Sequence, residues 1–378
     1  MIWLLFFLFV CYAVLITSLA IGFVKMTEFK PEKTVAKTRF SVIIPFRNEA
    51  ENLPQLLKSI RELAYPKALV EFILVNDNST DSSVKTVKEV LDTIVPKNKI
   101  SLTNIHIINN IRSSNSPKKD AILTAISVAK NNWVLTTDAD CVLPKKWLLT
   151  LDNFIQKNKP EMVVAPVNYT VKNSFLEQFQ LLDFMSLQGT TIGGFGIDFP
   201  FLCNGANLAY KKETFLKLNG FEGNNTIASG DDIFLFEKFL AADKKGVQFL
   251  KSKDAMVSTF PVKTMSDLIQ QRVRWASKTS NIKSFVVKGI GILVFLTNLS
   301  VIFSLFLLHN IWTLLLPLLL KIIIDLFLFV PTMRFYNPKK SFLKWVVCSS
   351  ILYPFFSVLV VVKSLFSTYN WKGRKFKK

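Results

Sequence analysis

Histidine is nearly absent: His106 and His309 are the only two in 378 residues. That argues against a His-rich metal site and against a Ser-His-Asp triad, so acid–base work falls to carboxylates. Cysteine is scarce as well. Its four residues show no repeated spacing, which excludes a disulfide scaffold. Acidic residues are outnumbered 27 to 47 by Lys and Arg, leaving a formal charge of +20. There is no phosphate-cradling glycine loop. Neither GxxxxGK[ST] nor GxGxxG follows a strand-like run, which speaks against P-loop NTPases and dinucleotide enzymes. Apolar residues, by contrast, are abundant: 50% hydrophobic and 13% aromatic, too much for a disordered chain.

The apolar residues are unevenly spread. Ile2 to Val24 carries no charge over 23 residues, enough to cross a hydrocarbon core of roughly 30 Å. It lacks a basic n-region and exceeds an h-region in length, so it reads as a retained anchor rather than a cleaved signal. Lys25, Lys30, Lys33, Lys37 and Arg39 follow it, and basic flanks stay cytoplasmic. The middle of the chain is therefore expected inside the cell. Apolar runs resume at 289–308, 311–330 and about 342–362. Lys321 and Asp325, four residues apart inside the second run, share a helix face and are read as a structural pair. Pro354 interrupts the third run. That run is expected to enter and return, or to lie along the interface, leaving the basic tail from Trp371 to Lys378 cytoplasmic. Beside a bilayer, the positive charge meets anionic headgroups first, and no nucleic-acid signature accompanies it.

Between the anchor and the later runs, strands alternate with helices. Buried strands are expected at Phe40–Phe46, Glu71–Asp77, Asn104–Ile108 and Trp133–Thr137. Helices are expected from about Leu53, from Asp81, and over 118–130. This alternation predicts an α/β domain with a parallel sheet and helices on both faces. Ligands in such sheets sit at the carboxyl ends of strands, where Asp77, Asp138 and Asp140 fall.

Asp138 and Asp140 form a DxD, and in extended backbone they point the same way. Two hard oxygen donors suit Mg²⁺ or Mn²⁺, with phosphate oxygens completing the shell. Asp231 and Asp232, in SGDDIFLF, open an apolar helix. They read equally as an N-cap with first-turn charge or as a general base whose pKa a like-charged neighbour raises. In QRVRW, Gln271, Arg274 and Trp275 share one helix face. Met265, Leu268, Ile269, Val273 and Ala276 form an apolar stripe on another, suited to the membrane interface.

In order, SVIIPFRNEAENL, VNDNSTD, DAD, GDD and QRVRW resemble glycosyltransferase family 2, in its membrane-anchored branch of ceramide glucosyltransferase-like enzymes and polysaccharide synthases. The resemblance implies a GT-A (Rossmann-like) cytoplasmic catalytic domain with N-terminal and C-terminal transmembrane helices. It implies that Pro45 and Glu49 line a nucleoside pocket and that Asp77 contacts base or ribose. Lys118 takes the place of the family's GKxxAL lysine. Asp138 approaches the donor sugar or ribose, Asp140 holds the metal, and Asp232 is the base, with Asp231 as its alternative. Gln271, Arg274 and Trp275 match the family's QxxRW, which closes over diphosphate and acceptor. Gly205 and Asn207 resemble a segment near the acceptor. Two positions depart from the pattern: Asn76 replaces an acidic residue, and Pro117 replaces the glycine before the lysine.

The implied organisation is an anchor at 1–24, a GT-A domain at 25–260, an interface helix at 261–286, membrane segments at 287–366 and a basic cytoplasmic tail at 367–378. The implied activity is inverting transfer from a nucleotide-diphosphate sugar, UDP-linked, to a lipid acceptor at the cytoplasmic face of a bacterial inner membrane. A processive polysaccharide synthase and a non-catalytic sugar-nucleotide-binding subunit are the alternatives.

Overall fold

The computed structural model describes residues 2–32, 34–94, 104–225, 227, 229–278, 282–307, 311–366 and 368–376. It divides into two compact units. One comprises 28–168 and 203–260; the other comprises 1–27, 169–202 and 261–378.

The first unit is built on a seven-stranded sheet. Its strands in chain order are β1 (Phe40–Phe46), β2 (Val70–Asn76), β3 (Ile105–Asn109), β4 (Trp133–Thr136), β5 (Met162–Val164), β7 (Leu208–Lys211) and β8 (Val247–Phe249). The short strands β6 (Val167–Tyr169) and β9 (Val257–Thr259) lie outside it. The order is β3-β2-β1-β4-β7-β5-β8. β1 and β2 are mostly apolar and buried, as a parallel sheet between two layers requires, and their polar Ser41 and Glu71 are hydrogen-bonded to each other at 2.6 Å. Parallel register holds from β3 through β4, as the sequence predicts. β7 is the exception, antiparallel to both β4 and β5. The strand–helix alternation breaks at β5 and β6, which follow one another without a helix before α6 (Phe175–Gly196) leads to β7.

The helices of this unit are α2 (Leu53–Arg61), α3 (Ser83–Ile94), α4 (Pro117–Val128), α5 (Trp147–Asn158), α7 (Lys212–Lys217) and α8 (Ile233–Ala242). α2 buries Leu53, Leu56, Leu57 and Ile60 at helical spacing, with Pro54 tolerated in its first turn. α4 starts on Pro117 itself. The first helical position needs no N–H and favours a fixed φ, so replacing the family's glycine does not disturb the helix that carries Lys118.

The second unit is helical: α1 (Ile2–Lys25), α6 (Phe175–Gly196), α9 (Met265–Ala276), α10 (Phe285–Leu307), α11 (Ile311–Tyr336) and α12 (Leu343–Phe366). A hairpin follows, β10 (Tyr369–Trp371) and β11 (Arg374–Phe376). Among the described residues, α1, α10, α11 and α12 are long and apolar enough to cross a membrane. α1 and α6 pack so closely that a Cβ on Gly22 or Gly193 would strike the facing backbone. The hairpin turns on Lys372 (φ 49°) and Gly373 (φ 74°), two left-handed residues that match the twist of paired strands.

Two sequence expectations need correction here. α12 runs unbroken through Pro354, so it does not enter and return as two arms. Neighbouring helices can support a helix across the hydrogen bond that a proline removes. The α9 stripe is also less open than an interface helix implies. Val273, with Ile269 and Ala276, packs on Val360 and Phe356 of α12, while Met265 stays exposed.

Lys321 and Asp325 do pair, at 2.6 Å. The Tyr12 hydroxyl donates to the other Asp325 oxygen at 2.5 Å, and Lys321 sits over the Tyr353 ring. Each charge is thus met within the helix cluster, which supports the structural reading. Lys321→Met alone is expected to destabilise the protein by about 3–5 kcal/mol, because it strands the carboxylate. Replacing Lys321 with Met and Asp325 with Leu together should recover most of that loss. Thermal unfolding in detergent measures both, and a single variant as stable as wild type would contradict the structural role.

Candidate active site

Register places the acidic residues on one edge. Phe46 pairs with Asn76, and the next residue, Asp77, donates its N–H to the Phe46 carbonyl at 2.9 Å. Ile43 pairs with Thr136, so Asp138 lies two residues beyond that pair, level with the half-buried Pro45. The carboxyl ends of β1, β2 and β4 therefore open on the same side.

Asp77 is buried, and its Oδ1 accepts from Asn110 Nδ2 at 2.8 Å. Arg112 Nη1 lies 3.6 Å from the same oxygen, while its Nε holds Asp120 at 3.1 Å. Burial alone would raise the pKa of Asp120, but hydrogen bonds from Ser114 and Ser113 outweigh it and bring the carboxyl below its ordinary range. Asn110 and Arg112 are residues the sequence reading missed. They follow β3 just as Asp77 follows β2, so the strand-end rule applied to the third strand would have found them. Glu49 is buried and accepts from Asn52 at 2.6 Å, bracing the turn after β1.

Lys118 joins the two acidic motifs. Its Nζ lies 2.7 Å from Asp138 Oδ1 and 3.1 Å from Asp231 Oδ2. Burial disfavours the charge of this lysine, but the Asp138 and Asp231 carboxylates outweigh burial and hold its pKa above the ordinary value. Asp231 thus has a cation beside it, in addition to the sequence-adjacent carboxylate of Asp232. Asp232 takes the capping role: Oδ1 accepts from Ile233 N at 2.8 Å and Oδ2 from Gly205 N at 3.3 Å. It remains half-buried, so its position is compatible with the base role too. Asp140 is half-buried beside Cys141, whose thiol burial pushes up, with Asp140 and Asp138 adding to the effect.

Asn207 is fully buried. Its Nδ2 donates to the carbonyls of Pro166 (2.9 Å) and Ala255 (2.8 Å), and its Oδ1 accepts from Trp147 Nε1 (2.9 Å). The side chain is consumed internally, and the segment near it is fixed by that network rather than by a ligand.

Two lysines brace the chain before Ser229. The fully buried Lys119 donates to the carbonyls of Asn224 (2.5 Å) and Ile227 (2.9 Å). Lys238 donates to Leu218, Gly220 and Glu222. Among the described residues, two buried hydroxyls near the acidic motifs find no hydrogen-bond partner: Ser229, two residues before Asp231, and Tyr210. Burial raises the pKa of Tyr210, and the Asp231 charge raises it further. Polar groups of this kind are unusual in a finished core and common where a ligand or water completes the structure.

In the helical unit, Thr264 caps α9 by accepting from Asp267 N at 3.1 Å. Gln271, Arg274 and Trp275 are each half-buried on that helix. β10 packs against the same helix.

The model of "Glycosyl transferase family 2" matches residues 41–214, and that of "Glycosyl transferase family group 2" matches residues 133–362. This chain belongs to the family 2 glycosyltransferases. Among its curated relatives, this glycosyltransferase is 34% identical over 107 residues to the undecaprenyl-phosphate 4-deoxy-4-formamido-L-arabinose transferase of Proteus mirabilis, covering 28% of this chain and 30% of that one. It is 26% identical over 126 residues to the poly(ribitol-phosphate) β-N-acetylglucosaminyltransferase TarS of Staphylococcus aureus, covering 33% and 20%. The chain thus spans less than a third of the length of either relative. Its structure resembles the mannosyltransferase PcManGT of Pyrobaculum calidifontis, solved with GDP-Man and Mn²⁺. The TM-score is 0.58 at 18% identity, over 96% of this chain and 97% of the other. The glycosyltransferase has the GT-A fold.

Proposed function

We propose that this glycosyltransferase moves a sugar from a nucleotide-diphosphate sugar, UDP-linked, to a lipid acceptor at the cytoplasmic face of a bacterial inner membrane, with inversion. The observation that carries the reading is the Lys118 ammonium between Asp138 and Asp231, at the strand edge where a GT-A donor binds. A cation beside the acidic motifs can meet a diphosphate once the donor displaces one of its partners. The apolar helices of the same chain support an acceptor drawn from the bilayer, as does the relative named for undecaprenyl phosphate.

Asp77 takes the base or ribose, with Pro45 and Glu49 shaping the pocket. Asp140, helped by Asp138, fits Mg²⁺ or Mn²⁺. No cluster of three or more candidate ligands exists among the described residues, so the shell would be completed by diphosphate oxygens. Bound there, the cation would offset charge on the leaving diphosphate. Lys118 and Arg274 contribute to the same task, and Gln271 and Trp275 hold the donor and acceptor. Asp232 takes the proton from the acceptor hydroxyl as its oxygen attacks the anomeric carbon and the nucleoside diphosphate departs. Gly205, bonded to Asp232, borders the acceptor. The test is a panel of labelled nucleotide sugars given to membranes containing the protein, followed by extraction into organic solvent. Label in the organic phase with one UDP-sugar is the expected result. Label retained only in insoluble polymer would favour a processive synthase, and none in either phase a binding subunit.

The tail is assigned to the cytoplasm. Trp345, near the start of α12, donates to Asn173 at 3.1 Å and packs edge-on against Phe175. Further along α12, Phe356 meets Phe179, and Val360 meets α9. α12 also packs on α10, and its Tyr353 ring lies under Lys321 of α11, so the cytoplasmic assignment rests on the basic residues Lys372, Arg374, Lys375, Lys377 and Lys378. A cysteine added after Lys378 should resist an impermeant thiol reagent in intact cells. Labelling from outside would overturn this topology.

A further inference from the structure

Arg272 lies within QRVRW but is not one of the three residues that the family resemblance singles out. It is only 5% exposed. Its Nε donates to Asp183 Oδ2, on α6, at 2.5 Å. Its Nη1 donates to the side-chain oxygen of Gln271. Its guanidinium carbon sits 4.1 Å from the centroid of the Trp275 ring. Phe184, the residue after Asp183, flanks the same ring at 6.4 Å and stacks on Tyr169 at 4.2 Å. One planar cation thus touches two of the three residues that α9 offers in the proposed site. Burial works against its charge, but Asp183 and Tyr169 together outweigh burial and keep its pKa above the ordinary value.

Stability alone does not call for this arrangement. A buried ion pair is often matched or exceeded by a well-packed apolar pair of similar volume. The guanidinium supplies something an apolar pair lacks: a rigid fork that bonds in two directions while its face stacks on an aromatic ring. Gln271 and Trp275 are half-buried, and the guanidinium bonds to the one and stacks on the other.

We propose that Arg272 and Asp183 are a positioning pair that fixes Gln271 and Trp275 in the orientation needed for transfer. The proposal rests on the reading that α9 contacts the donor and acceptor.

The test uses the full-length protein in detergent, with the labelled nucleotide sugar that gave extractable product. Gln271→Ala and Trp275→Ala come first. If both keep wild-type transfer, the reading of α9 fails and the proposal falls with it. If they lose transfer, the pair is tested alone. Arg272→Lys keeps the charge but not the fork, and should lower kcat roughly 10- to 100-fold, the usual cost of small misplacement, with a smaller change in donor KM. Arg272→Met combined with Asp183→Leu removes the ion pair without stranding a charge. It should melt close to wild type and still show the lowered kcat. A double variant that regains both melting temperature and kcat would make the pair purely structural and overturn the proposal. So would wild-type kcat in Arg272→Lys.

Discussion

Asp232→Asn is expected to lower sugar transfer by about 10²–10⁴ while leaving the fold and UDP binding in place. The structure explains why this substitution isolates the chemistry. Asp232 caps α8 through Oδ1 and accepts from Gly205 N through Oδ2. Asparagine is about as good an N-cap as aspartate, so the first of these survives. What is lost is a carboxylate able to take a proton. Initial rates with the labelled donor, alongside UDP affinity by calorimetry, separate the two roles. Near-normal turnover would move the base elsewhere. Asp231, whose Oδ2 lies 3.1 Å from the Lys118 ammonium, would be examined next.

Asp140→Ala is expected to abolish metal-dependent donor binding. A divalent cation held by two carboxylates and substrate phosphates has few ligands to spare. The remaining carboxylate, Asp138, already shares an oxygen with Lys118 at 2.7 Å. Calorimetry with UDP, in the presence of Mg²⁺ or Mn²⁺ and again with chelator, gives the readout. Full UDP affinity in the variant, together with no effect of chelation on wild type, would exclude the metal role.

The strands around the site were readable because each combines an apolar run with a polar exit, so pattern and function coincide at β1, β2 and β4. The direction of β7 was not readable. Leu208–Lys211 is too short to carry a signature, and its direction is seen only in its antiparallel pairing between β4 and β5. Pro354 misled for a different reason: local sequence registers the lost hydrogen bond but not the neighbouring helices that tolerate it. Asn207 drew attention as a polar residue in a small-residue segment. Only the fold reveals that Pro166 and Ala255 take both hydrogens of its Nδ2 and that Trp147 donates to its Oδ1. Arg272 was passed over because a motif names positions by resemblance, whereas its partner Asp183 lies 89 residues away.

The close seating of Gly22 against Gly193 means that the first helix is a component, not a handle. α6 carries both Gly193 and Asp183, so what touches one end of that helix is mechanically linked to what the other end holds. Exchanging residues 1–24 for an unrelated anchor would still deliver the protein to a bilayer. It would also replace a glycine contact with side chains that cannot fit there, and α6 would have to shift. Engineering a soluble version by deleting the anchor meets the same obstacle from the other direction: α6 would be left with an uncovered seam. Useful versions for crystallisation or screening should therefore keep native residues 2–25 and alter the exposed apolar side chains, such as Phe6, Phe7 and Val14, instead.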